Sequence, residues 1–240
     1  MASTKTTIVT GASQGIGAAV VRAFLERGYN VVGNARSFSS ESFTPSPKLA
    51  LVEGDIGLAT TAEKIAQTAM EKFGSIDHVV SNAGIFWSKR FTDYTADEFR
   101  AFVSVNLEGF IFITQFAVKQ MLAQGTGGSV TSITASLAAN PIAGLPASIP
   151  MITKGGLEAI ILSLASEYAK SNIRFNAVAP GQVDTPLHSK TPKDVMESLS
   201  PMGMISEAKD IAEAVVYLTE ARFVTGEVLH VDGGAHAGRW

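Results

Sequence analysis

Three glycines near the amino terminus have the spacing of a phosphate-binding turn. Gly11, Gly15 and Gly17 follow a β-branched run over residues 6–10, and a helical pattern continues from them to about Arg27. Glycine lets the backbone approach a phosphate closely, and the first turn of a helix offers unpaired N–H groups at the positive end of the helix dipole. The spacing G-x-x-x-G-x-G differs from the general dinucleotide fingerprint G-x-G-x-x-G. By itself it indicates either a phosphate site or an ordinary tight turn between a strand and a helix.

The composition argues against several classes of protein. The chain has 240 residues, a formal net charge of −3, 46% hydrophobic residues and no cysteine. Without cysteine there are no disulfides, thiolate metal sites or cysteine nucleophiles, and we predict no metal site. The acidic balance argues against nucleic acid as a partner, since proteins that bind it usually carry a basic face. The first residues lead directly into a strand, which leaves no room for a signal peptide, and no run of 18 apolar residues predicts a membrane span. We therefore expect a cytoplasmic protein without membrane partners.

Strand and helix patterns alternate along the chain. Strands are predicted at residues 6–10, 30–34, 49–52, 77–81, 129–134, 174–179 and 227–231. Helices are predicted from the glycine turn to about residue 27 and over 60–73, 98–123, 151–170, 193–199 and 208–218. Strands joined by helical crossovers pair in parallel, so the pattern predicts a doubly wound α/β domain of Rossmann type. We expect a parallel sheet of about seven strands with helices on both faces. No linker divides the chain, so residues 1–240 are assigned to one domain with an irregular substrate-side loop at about 185–206.

Seven motifs in order resemble those of the classical short-chain dehydrogenase/reductase family along nearly the whole chain. They are TGASQGIG at 10–17, DI at 55–56, NAG at 82–84, the asparagine of VNLEG at 106, KGGL at 154–157 with IRFN at 173–176, PG at 180–181 with TP at 185–186, and VTG at 224–226 with VDGG at 231–234. The resemblance implies a NAD(P)-dependent oxidoreductase that acts on a small molecule. It also implies a homodimer or homotetramer, with the apolar helices at 103–118 and 151–168 in the interfaces.

The resemblance further implies which residues bind the cofactor. In an open α/β sheet the ligand lies at the carboxyl ends of the strands, near the point where the strand order reverses. Family members use the residues that match Asp55 and Ile56 around the adenine, and the one that matches Thr185 near the nicotinamide amide. The full set of matching positions is Gly11, Ser13, Gln14, Gly15, Ile16, Gly17, Arg36, Asp55, Ile56, Asn82, Ala83, Gly84, Lys154, Pro180, Gly181, Val183 and Thr185.

The end of the second strand favours NADP over NAD. An NAD enzyme places an Asp or Glu there to bind the ribose 2′-OH. Here the position is Ala35, followed by Arg36. No carboxylate repels a 2′-phosphate, and a guanidinium is available to bind it. Arg36 is also compatible with a plain surface charge, and Gln14 is neutral where many NADP users of the family carry a basic residue. We predict NADP, with NAD as the alternative.

The catalytic positions match the family only in part. The family uses a Ser, a Tyr and a Lys assisted by an Asn, with the Tyr one helical turn before the Lys. Lys154 and Asn106 match, but the residue four positions before the lysine is Pro150, and no tyrosine stands four residues before a lysine elsewhere. Proline has no acidic proton, so the usual proton donor is missing. Counting from the start of the fifth strand places the serine at Ala135. Counting back from the following SLAA sequence places it at Ser136, which we prefer.

Two functions fit this pattern. The first is an oxidoreductase with an altered proton donor, which uses Lys154 through water, the acidity of the substrate itself, His188 or Ser148. The second is a non-catalytic descendant of the family that binds the nucleotide as a structural or regulatory ligand. Both retain the cofactor residues and lack the tyrosine. We prefer the oxidoreductase, because alignment of cofactor and substrate supplies a large part of the rate without an acid.

Overall fold

A parallel sheet of seven strands organises the computed structural model, which describes residues 4–189 and 191–238. The strand order is β3-β2-β1-β4-β5-β6-β9, and every pair of neighbours is parallel. The order reverses between β1 and β4, which makes a crevice at the carboxyl ends of these two strands. This arrangement confirms the predicted doubly wound fold. The seven strands are β1 (Thr6–Thr10), β2 (Asn30–Ala35), β3 (Leu49–Glu53), β4 (His78–Ser81), β5 (Gly128–Ile133), β6 (Ile173–Pro180) and β9 (Val228–Val231). The ends of the assigned domain (1–3 and 239–240) and Lys190 lie outside the described residues.

Helices cover both faces of the sheet. Helices α1 and α7 enclose one apolar core, and α2, α4 and α5 enclose the other. The helices of the described residues are α1 (Gly15–Glu26), α2 (Ala59–Phe73), α3 (Ala96–Phe102), α4 (Gly109–Gln124), α5 (Ser148–Tyr168), α6 (Lys193–Ser198) and α7 (Ala208–Glu220). Their bounds differ by up to three residues from those predicted, because the ends of an apolar pattern do not fix where hydrogen bonding stops.

Two features of the fold have no counterpart in the predicted elements. The helix predicted over 98–123 consists of α3, a π-helical segment at Val103–Glu108, and α4. The loop at 185–206 is bounded by two short parallel strands, β7 (Val183–Asp184) and β8 (Ser206–Glu207). A strand of two residues has no periodicity to recognise. A π-helical segment leaves the apolar pattern helical and changes only which residue faces inward.

Two helical segments are long and apolar enough to cross a membrane by length and composition alone. They are Ala96–Gln124 and Ser148–Ser171. Neither segment contains 18 uninterrupted apolar residues. Both are apolar enough when hydropathy is averaged over 18 residues. In this fold, each covers the sheet and contributes buried side chains such as Ile113 and Ile161 to the same core. Core helices of soluble proteins meet the same length and composition limits, so these two segments are weak indications of a membrane span.

His78 is a buried neutral histidine in the middle of the sheet. Its Nδ1 lies 2.9 Å from Ser129 Oγ on the adjacent strand. Burial, assisted by the positive charges of Lys5 and Arg174, lowers the pKa of His78 to about 3. The unfolded chain keeps an ordinary histidine pKa of about 6.5. As the pH falls below that value, the unfolded state binds a proton that the folded state does not bind, so acid destabilises the fold through this residue.

We predict that His78→Gln reduces the loss of stability in acid. Glutamine retains a polar group for Ser129 and cannot become charged. Between about pH 6.5 and pH 3, the wild type should lose as much as roughly 5 kcal/mol more of its free energy of unfolding than the variant does. Denaturant unfolding of both proteins across this range measures the difference, and the acidic residues common to both cancel in the comparison. Parallel curves for the two proteins would contradict the buried neutral state of His78.

Candidate active site

The glycine turn between β1 and α1 is closed against the end of β4. Asn82 Nδ2 donates hydrogen bonds to the backbone oxygens of Thr10 at 3.0 Å and Gly11 at 3.1 Å. A Cβ on Gly11 would lie 2.8 Å from Ala83 Cα, and a Cβ on Gly17 would lie 2.1 Å from the Gly11 oxygen. Gly11 also has a φ of +66°, which favours glycine. Only glycine fits these two positions, so the turn is shaped by close backbone packing.

The amino terminus of α1 has the features of an anion-binding site. Gln14 is exposed and makes no side-chain cap, and the first turn of the helix contains no acidic residue. The backbone N–H groups at Gly15, Ile16 and Gly17 therefore stand at the positive end of a twelve-residue helix without a competing carboxylate. Ser13 lies half-buried in the same turn. The cradle and the uncapped helix fit the pyrophosphate of a dinucleotide.

The ends of β2 and β3 are tied together beside Arg36. The side-chain amide of Asn34 donates to the backbone oxygens of Val52 and Gly54, at 3.0 and 3.2 Å. Arg36 follows β2 directly and is exposed. Glu53, at the carboxyl end of β3, is in register with Ala35 and accepts a hydrogen bond from the Phe38 N–H at 2.8 Å. Sequence reasoning did not consider this carboxylate beside Arg36.

Asp55 and Ile56 have local structural roles. Asp55 is exposed, and its Oδ1 accepts a hydrogen bond from the Gly57 N–H at 2.9 Å, the turn that an aspartate commonly forms. Ile56 is buried, and its Cγ2 would lie 2.9 Å from a Cβ on Gly109. The structure therefore places both residues at the carboxyl edge of the sheet beyond β3.

Asn106 and Lys154 converge on Gly84. Both Asn106 Oδ1 and Lys154 Nζ lie 3.3 Å from the position that a Cβ on Gly84 would take. Lys154 Nζ donates to the Ile133 oxygen at the end of β5, at 2.8 Å. Burial lowers the pKa of Lys154 to about 8, and the nearby carboxylate of Glu158 opposes part of this shift. The ammonium group is thus held against Gly84, close to the Asn106 side chain.

Asn106 joins the loop after β4 to helix α5. This buried residue lies within the π-helical segment. Its Oδ1 accepts from the Ile85 N–H at 2.9 Å, and its Nδ2 donates to the Ile85 oxygen at 3.2 Å and to Thr153 Oγ1 at 2.9 Å. Thr153 in turn donates to the Pro150 oxygen at 2.7 Å. A buried amide with all these partners fixes the relative positions of its neighbours.

Pro150 stands in the first turn of α5, one helical turn before Lys154. It is buried, and the missing N–H is tolerated because the N–H groups of a first turn have no helical acceptor. The exposed Ser148 opens the same turn. The structure therefore brings an apolar ring, and no phenol, to the position that precedes the lysine by one turn.

Ser136 is bonded to a carboxylate. Its hydroxyl donates to Asp232 Oδ2 at 2.5 Å, and both side chains are buried. Asp232 also lies 2.9 Å from His236 Nδ1 and accepts from the Gly234 N–H at 3.0 Å. Hydrogen bonds from Ser136 and His236 keep the pKa of Asp232 below its usual value, although burial acts in the opposite direction. The VDGG motif contained this aspartate, but sequence reasoning did not connect it with Ser136. The preceding residue, Ala135, is extended and carries no hydroxyl.

The remaining predicted residues lie at the ends of β6 and β7. Pro180 ends β6, and a Cβ on Gly181 would lie 2.8 Å from Asp232 Cα. Val183 is buried in the core that α1 and α7 enclose. Thr185 lies beside the glycine turn, with its Cβ 3.4 Å from where a Cβ on Gly15 would stand. Thr185 is thus the residue of this group that lies next to the amino terminus of α1.

The fold and the residues at its carboxyl edge match a known family. Residues 11–236 match the family model described as enoyl-(acyl carrier protein) reductase. The chain belongs to the classical short-chain dehydrogenase/reductase family. This confirms the resemblance drawn from the sequence motifs, and it makes the chain a relative of NAD(P)-dependent oxidoreductases.

Named relatives within this family differ in substrate. A 3alpha-hydroxysteroid dehydrogenase of Mediterraneibacter gnavus is 36% identical to this short-chain dehydrogenase/reductase over 99% of both chains. An L-rhamnose 1-dehydrogenase (NAD(P)(+)) of Sphingomonas sp. is 33% identical over 97% of this chain and 96% of its own. Among solved structures, ElxO with NADP bound has a TM-score of 0.89 and 27% identity over 98% of this chain and 100% of its own. A Tyr-to-Phe variant of ElxO with NADPH bound has the same TM-score.

We predict that Gly17→Ala disrupts the anion cradle. The new Cβ has to displace the Gly11 backbone, which should cost about 1–3 kcal/mol of stability and weaken NADPH binding at least about tenfold. Equilibrium unfolding and fluorescence titration with NADPH measure the two effects. Gly155→Ala is the matched control, since nothing lies within 4 Å of a Cβ at that helical position. It should leave NADPH affinity unchanged and stabilise α5 by about 0.5–1 kcal/mol. Equal NADPH affinity in Gly17→Ala and the wild type would show that the turn does not hold the phosphates.

Proposed function

We propose that this chain is an NADP(H)-dependent short-chain oxidoreductase for a small molecule, with Pro150 at the position of the family's catalytic tyrosine. The observation that carries the proposal is the convergence of Lys154 and Asn106 on Gly84, beside an uncapped helix and a cradle that admits only glycine. A protein that had given up the nucleotide would have no need of these groups together. Residues 1–240 act as one domain in this proposal, with 185–206 on the substrate side.

In this proposal, residues of the chain contact four parts of the cofactor. The N–H groups of Gly15, Ile16 and Gly17 bind the pyrophosphate, and the ammonium of Lys154 binds the hydroxyls of the nicotinamide ribose. Asp55 and Ile56 lie at the adenine end. When bound, the nicotinamide supplies the hydride. Gly84 leaves room beside Lys154 for the ribose, and Thr185 holds the amide of the nicotinamide next to the helix terminus.

Arg36 supports NADP over NAD in this proposal. Its guanidinium is exposed at the end of β2, where a second-strand carboxylate would otherwise exclude a phosphate. Glu53, at the end of the neighbouring strand, accepts a hydrogen bond from the Phe38 N–H. A guanidinium forms charge-assisted bonds with a 2′-phosphate that it cannot form with a 2′-hydroxyl.

Lys154 is the proton source that the geometry favours. With a pKa of about 8 its ammonium is charged at neutral pH and still acidic enough to release a proton. It stands one helical turn after Pro150, and in this proposal a water molecule passes the proton from its ammonium to the substrate carbonyl. Ser148, which opens the same turn, and His188, whose pKa is lowered by burial, are the other groups on the substrate side.

A second function is favoured by one observation. The Ser136 hydroxyl donates to Asp232, and the residue one helical turn before Lys154 is a proline. A protein that binds NADP(H) as a sensor or structural ligand needs the cradle and Lys154 but no proton donor. The Tyr-to-Phe variant of ElxO with NADPH bound is compatible with cofactor binding that does not depend on a phenol.

The apolar surface of α4 and α5 supports a homodimer or homotetramer. Leu122, Ile152 and Leu162 are between 46% and 54% exposed on these helices, and they continue the apolar sequence of both. Burying such side chains against a second copy is favourable by about 25 cal/mol per Å².

We predict that Arg36→Ala weakens the binding of NADPH and leaves the binding of NADH nearly unchanged. The affinity for NADPH should fall about 10- to 100-fold, since a hydrogen bond to a charged group contributes about 1.5–3 kcal/mol, while the affinity for NADH should change little. Titration of both cofactors measures the ratio. Arg222→Ala, which removes another exposed arginine, is the control and should leave both affinities unchanged. Tighter binding of NADH than of NADPH by the wild type would overturn the assignment of NADP.

We predict that Pro150→Tyr increases ketone reduction. A phenol one turn before Lys154 restores general acid catalysis, which contributes about 10²–10⁴-fold, so the rate of NADPH oxidation should rise at least about tenfold over a panel of ketones. Pro150→Phe introduces a ring of the same size as that of tyrosine but without the hydroxyl, and it should not increase the rate of NADPH oxidation. The wild type should turn over more slowly, fastest with imines and activated alkenes that need little acid assistance, and Lys154→Met should abolish its activity. NADPH binding without turnover in the wild type and in Pro150→Tyr would favour the sensor.

A further inference from the structure

An apolar depression opens on the substrate side of the site. It has a volume of about 400 Å³, within the range of small-molecule sites. Its floor and walls come from the connection between β5 and α5, from the first turns of α5, and from the segment after β4. The residues that line it are Phe91, Leu137, Ala138, Pro141, Leu145, Pro146, Ala147, Ser148 and Met151.

The depression adjoins the residues that the proposed reaction uses. Met151 follows Pro150 directly and precedes Lys154 by three residues on α5. Leu137 follows Ser136. The depression therefore borders the first turns of α5, which carry Pro150 and Lys154, and the turn that carries Ser136.

The walls of the depression are tied in place. Ser88 Oγ donates to the Pro146 oxygen at 2.6 Å, which joins the segment after β4 to the opposite wall. The Leu145 N–H donates to the Ile142 oxygen at 3.1 Å and closes a turn within that wall. The Asn140 side chain donates to the Ser136 oxygen at 3.2 Å and anchors the start of the connection. Pro141 and Pro146 restrict the backbone further. These hydrogen bonds and prolines fix the shape of the depression.

The chemistry of the lining is almost entirely apolar. Eight of the nine side chains contain only carbon or a thioether, no charged residue contributes, and Ser148 supplies the single hydroxyl. A polar group removed from water without a hydrogen-bonding partner is penalised, whereas apolar surface gains from burial. A sugar would bring several hydroxyls to one partner. A molecule with an apolar body and one terminal oxygen would bury its body against the lining, and its oxygen would still find a hydrogen-bonding partner.

We propose that the substrate is a molecule with a hydrophobic body, such as a steroid or a medium-length acyl chain, that carries its reacting carbonyl or hydroxyl at one end. The inference rests on the proposed oxidoreductase and specifies its substrate class. The apolar body lies against Leu145 and Phe91, and Phe91, which is 68% exposed at the rim, becomes covered on binding. The reacting carbon points towards Lys154. Free sugars are excluded as good substrates.

Binding of a homologous series of unbranched methyl ketones tests this inference. Affinity should rise about two- to fourfold per added methylene, with the protein loaded with NADP+, which cannot reduce the ketone, and L-rhamnose should not compete. Leu145→Gln places an amide in the wall and should flatten the dependence on chain length. Leu145→Met conserves volume and apolar character, and it should retain that dependence. Neither variant touches the cofactor residues, so both should bind NADPH as the wild type does.

The outcomes separate the two proposals. Calorimetry with the ketones is repeated without nucleotide, so that binding to the depression is measured independently of the cofactor. Failure of NADPH to bind, with the chain-length dependence intact, would overturn the oxidoreductase and leave the depression as a hydrophobic ligand site. Normal NADPH binding with an affinity that is independent of chain length, with no ketone binding, or with tighter binding of L-rhamnose than of the ketones, would overturn the substrate class alone.

Discussion

The side-chain amide of Asn82 holds the carboxyl ends of β1 and β4 together, and the rest of the site depends on this contact. Its two hydrogen bonds to the backbone of Thr10 and Gly11 fix the turn at the point where the strand order reverses. Gly11 and Gly17 then pack so closely that no side chain fits between them. The amino terminus of α1 is thereby aimed at the crevice, and Thr185 comes to lie beside it. The amide of Asn82 and the glycines at 11 and 17 restrict the turn to one backbone conformation, which is the one that a nucleotide site needs.

A second amide connects this nucleotide side to the substrate side. Asn106 bonds both backbone groups of Ile85, just beyond the loop that Asn82 begins, and also bonds Thr153 on α5. The π-helical segment brings the asparagine inward at this point, as such segments often do at functional sites. Any movement of the loop after β4 would therefore be transmitted to the helix that carries Pro150 and Lys154. The two halves of the site are held at one fixed separation.

The buried carboxylate of Asp232 connects the end of β5 to the chain near the carboxyl terminus. It accepts a hydrogen bond from the Ser136 hydroxyl and others from Gly234 and His236, and the catalytic role of Ser136 stays a prediction. Pro150 precedes Lys154 by one helical turn of α5, and the Lys154 ammonium is held by the Ile133 oxygen beside Gly84. The oxidoreductase that we propose would use Lys154 as its proton source and an apolar neighbouring surface to hold the body of its substrate.

Local patterns in the sequence were sufficient for the fold, the family and the glycine turn, because β-branched strands, helical periodicity and close backbone packing each depend on residues near in the chain. The spacing of Pro150 and Lys154 was equally readable, since the helical period fixes it. The roles of Arg36 and of the other cofactor residues stay predictions. The tertiary structure decided the rest. Ser136 meets its carboxylate across 96 residues, the π-helical segment turns Asn106 inward without altering the apolar pattern, and the depression is closed by segments that meet only after folding. Such contacts join distant parts of the chain, and no spacing within a single segment records them.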